Sequence, residues 1–141
     1  MRLRPVEQPD LDAFYEHQSD VEAAALADVP SRDRAAFDVL WARLQRDPAI
    51  LIRTIDDDGA VAGYVFTFIS AGQRVVGYWL GRAHWGRGIA TAALGEFLPL
   101  VDERPLRATV APANRASVRV LEKNGFRLLR EQSRSLLFQL G

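Results

Sequence analysis

The chain has 141 residues, the usual size of one domain, and 48% of them are hydrophobic, enough for a single packed core. Eighteen Lys and Arg against eighteen Asp and Glu give zero net charge, which argues against a general nucleic-acid binder and against electrostatic attachment to an anionic membrane. There is no cysteine, so disulfides, thiolate metal sites and cysteine nucleophiles are excluded.

That absence also fits a reducing cytoplasm. The opening "MRLRPVEQPD" has no apolar core for a signal peptide, and no window approaches the ~20 apolar residues of a membrane span. The expectation is a soluble, cytoplasmic protein of one domain over residues 1–141, as a monomer or a homodimer.

"MRLRPV" alternates Leu3 with charged neighbours and reads as a short edge strand. Pro9 and Asp10 open a helical pattern, with Leu11, Phe14 and Tyr15 at helical spacing. The Ala-rich residues 23–27 either continue it or form a second turn. Ser31 can cap the next helix, whose Phe37, Leu40, Trp41 and Leu44 share a face; Asp47-Pro48 stops it. "ILIRTI" and "AVAGYVFTFI" read as strands joined by the hairpin turn Asp56-Asp57-Asp58-Gly59. "RVVGYWL" follows the turn Ala71-Gly72 as a third strand. Ile89, Ala90, Ala93, Leu94, Phe97 and Leu98 form a helical stripe. Pro105 precedes the strand "LRATV". Asn114 opens a short helix that Gly125 closes, and "FRLLRE" and "RSLLFQL" finish as two strands. The order β-α-α-β-β-β-α-β-α-β-β predicts a mixed α/β (α+β) domain. Its sheet should be largely antiparallel, with six to seven strands and about four flanking helices.

The stretch "HWGRGIA", His84–Ala90, places two glycines at a strand-to-helix junction. Gly81-x-x-x-x-Gly86 has Walker spacing, but Arg87 stands where lysine should be and Gly88 where Ser or Thr should be. Gly86-x-Gly88-x-x-Thr91 lacks the third glycine of a dinucleotide fingerprint and does not open a β-α-β unit. A simpler scheme needs only a helix whose first amides point at an anion, with glycines letting the backbone approach. Its plain rival is a turn that needs positive φ.

The segment "VAPANRASVRVLEKNGFRLL" adds Asn114-x-x-Ser117, then Leu121-Glu122-Lys123, then Gly125-Phe126. Together with "VVGYWLGRAHWGRGIATAAL" it resembles the GNAT superfamily of N-acetyltransferases, specifically over residues 76–126 and loosely before residue 50. The wording is most similar to the branch that includes ribosomal-protein N-terminal acetyltransferases. The element order matches as well. The resemblance implies that the anion is the pyrophosphate of coenzyme A, with acetyl-CoA as co-substrate and no metal. Backbone amides of Arg87, Gly88, Ile89, Ala90 and Thr91, in a loop with Trp85 and Gly86, would hold it. Tyr78, Trp79 and Leu80 would pair with the pantetheine arm as an added strand would. Four positions depart from the family's pattern. Trp85 fills a Gln or Arg slot, as is usual in that branch, and Arg82 replaces a proline at the strand exit. Leu121 replaces a tyrosine that protonates the leaving thiolate, and Val75 replaces a glutamate.

Acetyl transfer needs a neutral amine, a polarised thioester carbonyl and a proton for the departing sulfur. Ser117 is the candidate donor near the sulfur. Asn114 would contact the pantetheine or order a water, and as an N-cap it would also bond the Ser117 amide. His17, His84, Glu16 and Glu22 are candidate bases, with bulk water as a further route. Trp41, Trp79 and Phe97 sit in apolar patterns that suit the core. By the resemblance, residues 21–32 and 130–135 would line the amine's entrance. Glu22 and Asp28 suit a cation there, Arg130 and Arg134 a carboxylate. The acceptor would be a primary amine of a small molecule or a protein N-terminus. The alternative is a non-catalytic acyl-CoA-binding module of the same fold, which the aliphatic Leu121 and Val75 favour.

Overall fold

The computed structural model describes residues 1–30 and 32–141; Ser31, the expected helix cap, lies outside them. The chain begins with the short strand β1 (Arg2–Arg4) and three helices, α1 (Asp10–Gln18), α2 (Val21–Ala27) and α3 (Arg34–Arg46). A three-stranded meander follows: β2 (Leu51–Asp57), β3 (Ala60–Ser70) and β4 (Gln73–Leu80). Then come α4 (Ile89–Phe97), β5 (Leu106–Val110), α5 (Arg115–Lys123), β6 (Arg127–Glu131) and β7 (Leu136–Leu140).

The seven strands form one sheet in the order β1-β2-β3-β4-β5-β7-β6, so β1 is an edge strand as its alternation predicts. β4 and β5 run parallel; every other pair among the described residues is antiparallel. Among the described residues five α-helices flank the sheet, where about four were expected. The difference is α2. The Ala-rich stretch does not continue α1, because the Asp20 carboxylate accepts from the amides of Glu22 and Ala23 and starts a new helix. Asp33 caps α3 in the same way, accepting from the Ala36 amide.

The hairpin turns are tighter than four residues. β2 runs through Asp57, which leaves Asp58 and Gly59 as a two-residue loop with φ of 54° and 91°. Both central residues at positive φ match the twist of paired strands. Asp56 is then free to accept from the Gly59 amide at 2.7 Å and to pair with Arg4 at 3.1 Å.

Alternation along the strands builds two apolar layers. One face carries Ile55, Val65, Val76, Leu80, Leu106 and Phe138, which pack on Leu94 and Phe97 of α4 and on Val120 and Leu121 of α5. The other face carries Ile52 and Tyr64, packed on Leu11, Phe14, Phe37 and Trp41. Trp41 meets the Tyr64 ring edge-on at 4.8 Å. Asp10 is buried within this second layer and is fully satisfied. Arg4 gives it a bidentate pair at 2.8 and 3.0 Å, and the Thr54 hydroxyl and Glu7 amide each donate at 2.8 Å. Burial pushes the Asp10 carboxyl up, but these donors together outweigh it and hold it below the usual carboxylate range. β1, α1 and β2 are tied at one point by this network. No helix among the described residues is long and apolar enough to cross a membrane.

Candidate functional site

The site starts at a gap in the sheet. β4 pairs with β3 along its whole length, from Gly63↔Leu80 to Ser70↔Gln73. On its other side it meets β5 at a single register pair, Val75↔Arg107, and the two strands then diverge. Residues 76–80 therefore present one backbone edge with no strand beside it.

The chain leaves β4 through a short 3-10 turn at Arg82–His84. The Trp85 indole N–H donates back to the Leu80 carbonyl at 2.9 Å, and the Arg82 guanidinium sits 5.2 Å from the Trp85 ring centre. The guanidinium also donates to Asp20 at 2.6 and 2.7 Å and to Glu22 at 3.1 Å, joining the turn to the start of α2. Those donors hold the Asp20 carboxyl at about 2, below the usual range. Arg82, placed where the family pattern has proline, is thus a tether.

Gly86 and Gly88 follow with φ of 73° and 77°, the left-handed region that glycine enters without strain. Gly88 is the N-cap of α4 and offers no side chain to it. Asp20, Asp33 and Asn114 cap α2, α3 and α5, and a tight turn satisfies the first amides of α1. Among the described residues, α4 is the helix whose first amides have no such acceptor. They face a cavity of about 320 Å³, lined by Gly86, Gly88, Ile89, Ala90 and Thr91 and by Tyr78, Trp79 and Leu80 of the open strand. The Arg87 guanidinium is turned outside that lining and pairs with Asp57 at 3.1 Å. His84 does line the cavity, with Nδ1 3.4 Å from the same carboxylate. Asp57 thus ties two loop side chains to the end of β2.

α5 supplies the far wall. The Asn114 side chain accepts from the Ser117 amide at 3.3 Å, so the expected capping role is real. The Asn124 amide donates to the carbonyls of Thr91 and Val120, pinning the end of α5 to the start of α4. The Ser117 hydroxyl lies 2.7 Å from the Tyr78 hydroxyl. Burial pushes the Tyr78 phenol above its ordinary value, against the opposing pull of Ser117. A second cavity of about 290 Å³ lies between the diverging strands, lined in part by Gly77, Ala108, Val110 and Leu121. Tyr78, Trp79, Asn114, Ser117 and Ala27 line both cavities, which makes them the junction.

The structure brings the other expected residues together unevenly. Ala23, Leu26 and Ala27 line the first cavity; Asp28, Val29, Arg134 and Ser135 line the second. Both entrance segments thus reach the site, and Asp28 and Arg134 stand 4.0 Å apart across it. Arg130, Glu16, Glu22 and His17 line neither cavity. His17 packs on Gly81, with an enclosed Nδ1 that has no partner. Leu121 is 4% exposed in the core. Among the described residues there is no cluster of His, Asp and Glu suited to a metal. Sequence reasoning missed the Tyr78–Ser117 bond, which joins residues 39 apart, and the anchoring role of Asp57, which read as part of a turn.

The acetyltransferase (GNAT) domain family matches residues 1–127. The chain belongs to the GNAT acetyltransferase family. Among relatives of the GNAT domain, the uncharacterized N-acetyltransferase p20 of Bacillus licheniformis is 24% identical, over 96% of this chain and 85% of its own. The spermidine N-acetyltransferase of Vibrio cholerae, solved in complex with CoA and spermine, has a TM-score of 0.82 at 15% identity, covering 98% of this chain and 92% of its own. The phosphinothricin acetyltransferase of Sinorhizobium meliloti, solved in complex with AcCoA, has a TM-score of 0.81 at 19% identity, covering 99% and 86%. The last two likenesses establish a shared GNAT fold.

Proposed function

We propose that this GNAT domain moves an acetyl group from acetyl-CoA to a primary amine of a small molecule or a protein N-terminus. One observation carries the proposal. The uncapped start of α4 faces a cavity that runs along the open edge of β4 to the Tyr78–Ser117 pair. An anion suits the amides of Gly88, Ile89, Ala90 and Thr91, and the amide of Arg87 extends that cradle. A pantetheine arm suits the edge left at Tyr78, Trp79 and Leu80, because its amides can pair there as a strand would. The thioester would then end at the junction, beside the Ser117 hydroxyl and Asn114. An amine would approach through the second cavity, past Asp28 and Arg134.

The family relationship and the CoA-bound relatives support this choice of co-substrate. The "GYWL…WGRGIATAAL" wording supports the branch that includes ribosomal-protein N-terminal acetyltransferases, and hence a peptide α-amine among the acceptors. We place the activity in the cytoplasm, within one domain that acts as a monomer or a homodimer.

A second reading, a non-catalytic acyl-CoA-binding module, is favoured by Leu121, which is packed in the core and carries no proton. Thiol release from acetyl-CoA separates the two. The amine panel should hold a polyamine, an aminoglycoside, a free amino acid and a peptide α-amine. Acetyl transfer predicts saturable release with at least one of them. CoA binding with no release from any amine supports the binding module.

A further inference from the structure

Two hydroxyls, not one, stand at the junction of the cavities. Tyr78 on β4 and Ser117 on α5 line both and are bonded at 2.7 Å. The other polar groups there carry no readily lost proton, since they are the amide of Asn114 and the indole of Trp79. The Asn114 oxygen accepts the Ser117 amide, and the Trp79 indole N–H is enclosed. His84 lines the first cavity alone and faces Asp57.

Expulsion of a thiolate at neutral pH needs a proton, since an ordinary thiol has a pKa of about 8.5. An aliphatic hydroxyl resembles water, a far weaker acid than a thiol, and would be left as an alkoxide far out of reach at neutral pH. A phenol, ordinarily at about 10, is a far stronger acid than an alcohol and lies much nearer the thiol, although burial moves the Tyr78 phenol upward from that value. Ser117 can therefore pass a proton on but cannot be its net source. Leu121 has no acidic proton, and among the described residues that line both cavities Tyr78 is the one that carries a phenol.

We propose that Tyr78 is the proton source for the departing thiolate, acting through Ser117; this rests on acetyl transfer at the same site. The amine nitrogen attacks the thioester carbon, the C–N bond forms, and the C–S bond breaks with its electron pair on sulfur. Ser117 gives its hydroxyl proton to sulfur and takes the phenolic proton of Tyr78. The new amide nitrogen sheds its extra proton to solvent, and solvent returns one to Tyr78. Amine and thioester become amide and thiol, with no other reactant. Burial raises the Tyr78 phenol and so weakens it as an acid, which is why its proton leaves only in concert with transfer from the Ser117 hydroxyl bonded to it.

The test measures kcat with acetyl-CoA and the best amine of the panel, together with the Kd of CoA. Tyr78→Phe should lower kcat about 10-fold or more and leave the CoA Kd within about twofold, because the ring and the backbone edge remain. Tyr78→Phe combined with Ser117→Ala should be no slower than the slower single variant, as expected of groups acting as a unit. Incorporation of 3-fluorotyrosine, whose phenol is more acidic, should move the alkaline limb of the kcat profile to lower pH. Tyr15 and Tyr64 line neither cavity and leave that limb alone. An unchanged kcat in Tyr78→Phe, an unmoved limb, or CoA affinity falling in step with kcat would overturn the inference. A wild-type protein that binds CoA but releases no thiol with any amine overturns acetyl transfer itself.

Discussion

Ser117→Ala removes the hydroxyl that bonds Tyr78 and keeps the backbone amide that Asn114 caps. The expected result is a kcat about 10-fold lower, with CoA affinity nearly unchanged. Oxyanion-hole donors cost about 10²–10³-fold when removed, and a water can stand in for a hydroxyl beside a good leaving group. Unchanged turnover would remove Ser117 from the chemistry and leave it a helix residue. His17 offers a stability test at the same scale. Burial first, then the charge of nearby His84, lowers its pKa below the ordinary 6.5, against a weaker raising pull from Glu16. The unfolded chain therefore binds the proton first, and stability is lost as pH falls below about 6.5. His17→Asn should flatten the slope of melting temperature between pH 7 and 5; an unaltered slope would place the titration elsewhere. Among single residues the sequence was most legible where one side chain acts on its own neighbourhood. Asn114 as a cap needed only its spacing to Ser117. The partnership of Ser117 with Tyr78 was hidden, because it depends on how α5 docks against β4.

At the scale of elements, the junction of β4 and α4 decides the site. Gly88→Val should weaken CoA binding more than it weakens the fold. A Cβ at Gly88 meets no protein atom within 4 Å, so its steric cost inside the protein is the strain of φ 77°. That strain is about 1–2 kcal/mol. The side chain would instead occupy space next to the α4 amides, where the proposed pyrophosphate would sit. Equal losses of melting temperature and CoA affinity, once expressed as free energies, would support a plain turn. Arg82 gives a second test. Arg82→Ala removes the donors that tie the strand exit to Asp20 and Glu22. Hydrogen exchange should then speed up in Val21–Ala27, while α5 keeps its protection. Unchanged protection in α2 would show that its own Asp20 cap and packing suffice. The start of α2 was ambiguous in sequence, because alanines suit a continued helix as well as a new one. Asp20 was the available signal, since its carboxylate competes for the backbone amides that follow it.

Across the whole molecule, the strand order of the meander and the final hairpin followed from turn chemistry and alternation, which are local. The divergence of β4 from β5 was not legible. It arises where a parallel strand returns after a helical crossover and keeps one register pair, Val75↔Arg107. That gap leaves the strand edge to which the proposed pantetheine arm would add. The charges of the entrance segments read as conflicting in the sequence, a cation site against a carboxylate site. In the fold Asp28 and Arg134 face each other at 4.0 Å, so each is the other's nearest partner. In the proposed function one ligand fits the uncapped helix and the open strand together. Dephospho-CoA should bind as well, because the pyrophosphate is the proposed anchor. The most direct measurement is a calorimetric titration with acetyl-CoA: the expected result is saturable binding at one molecule per chain, and no binding at millimolar acetyl-CoA would contradict the account.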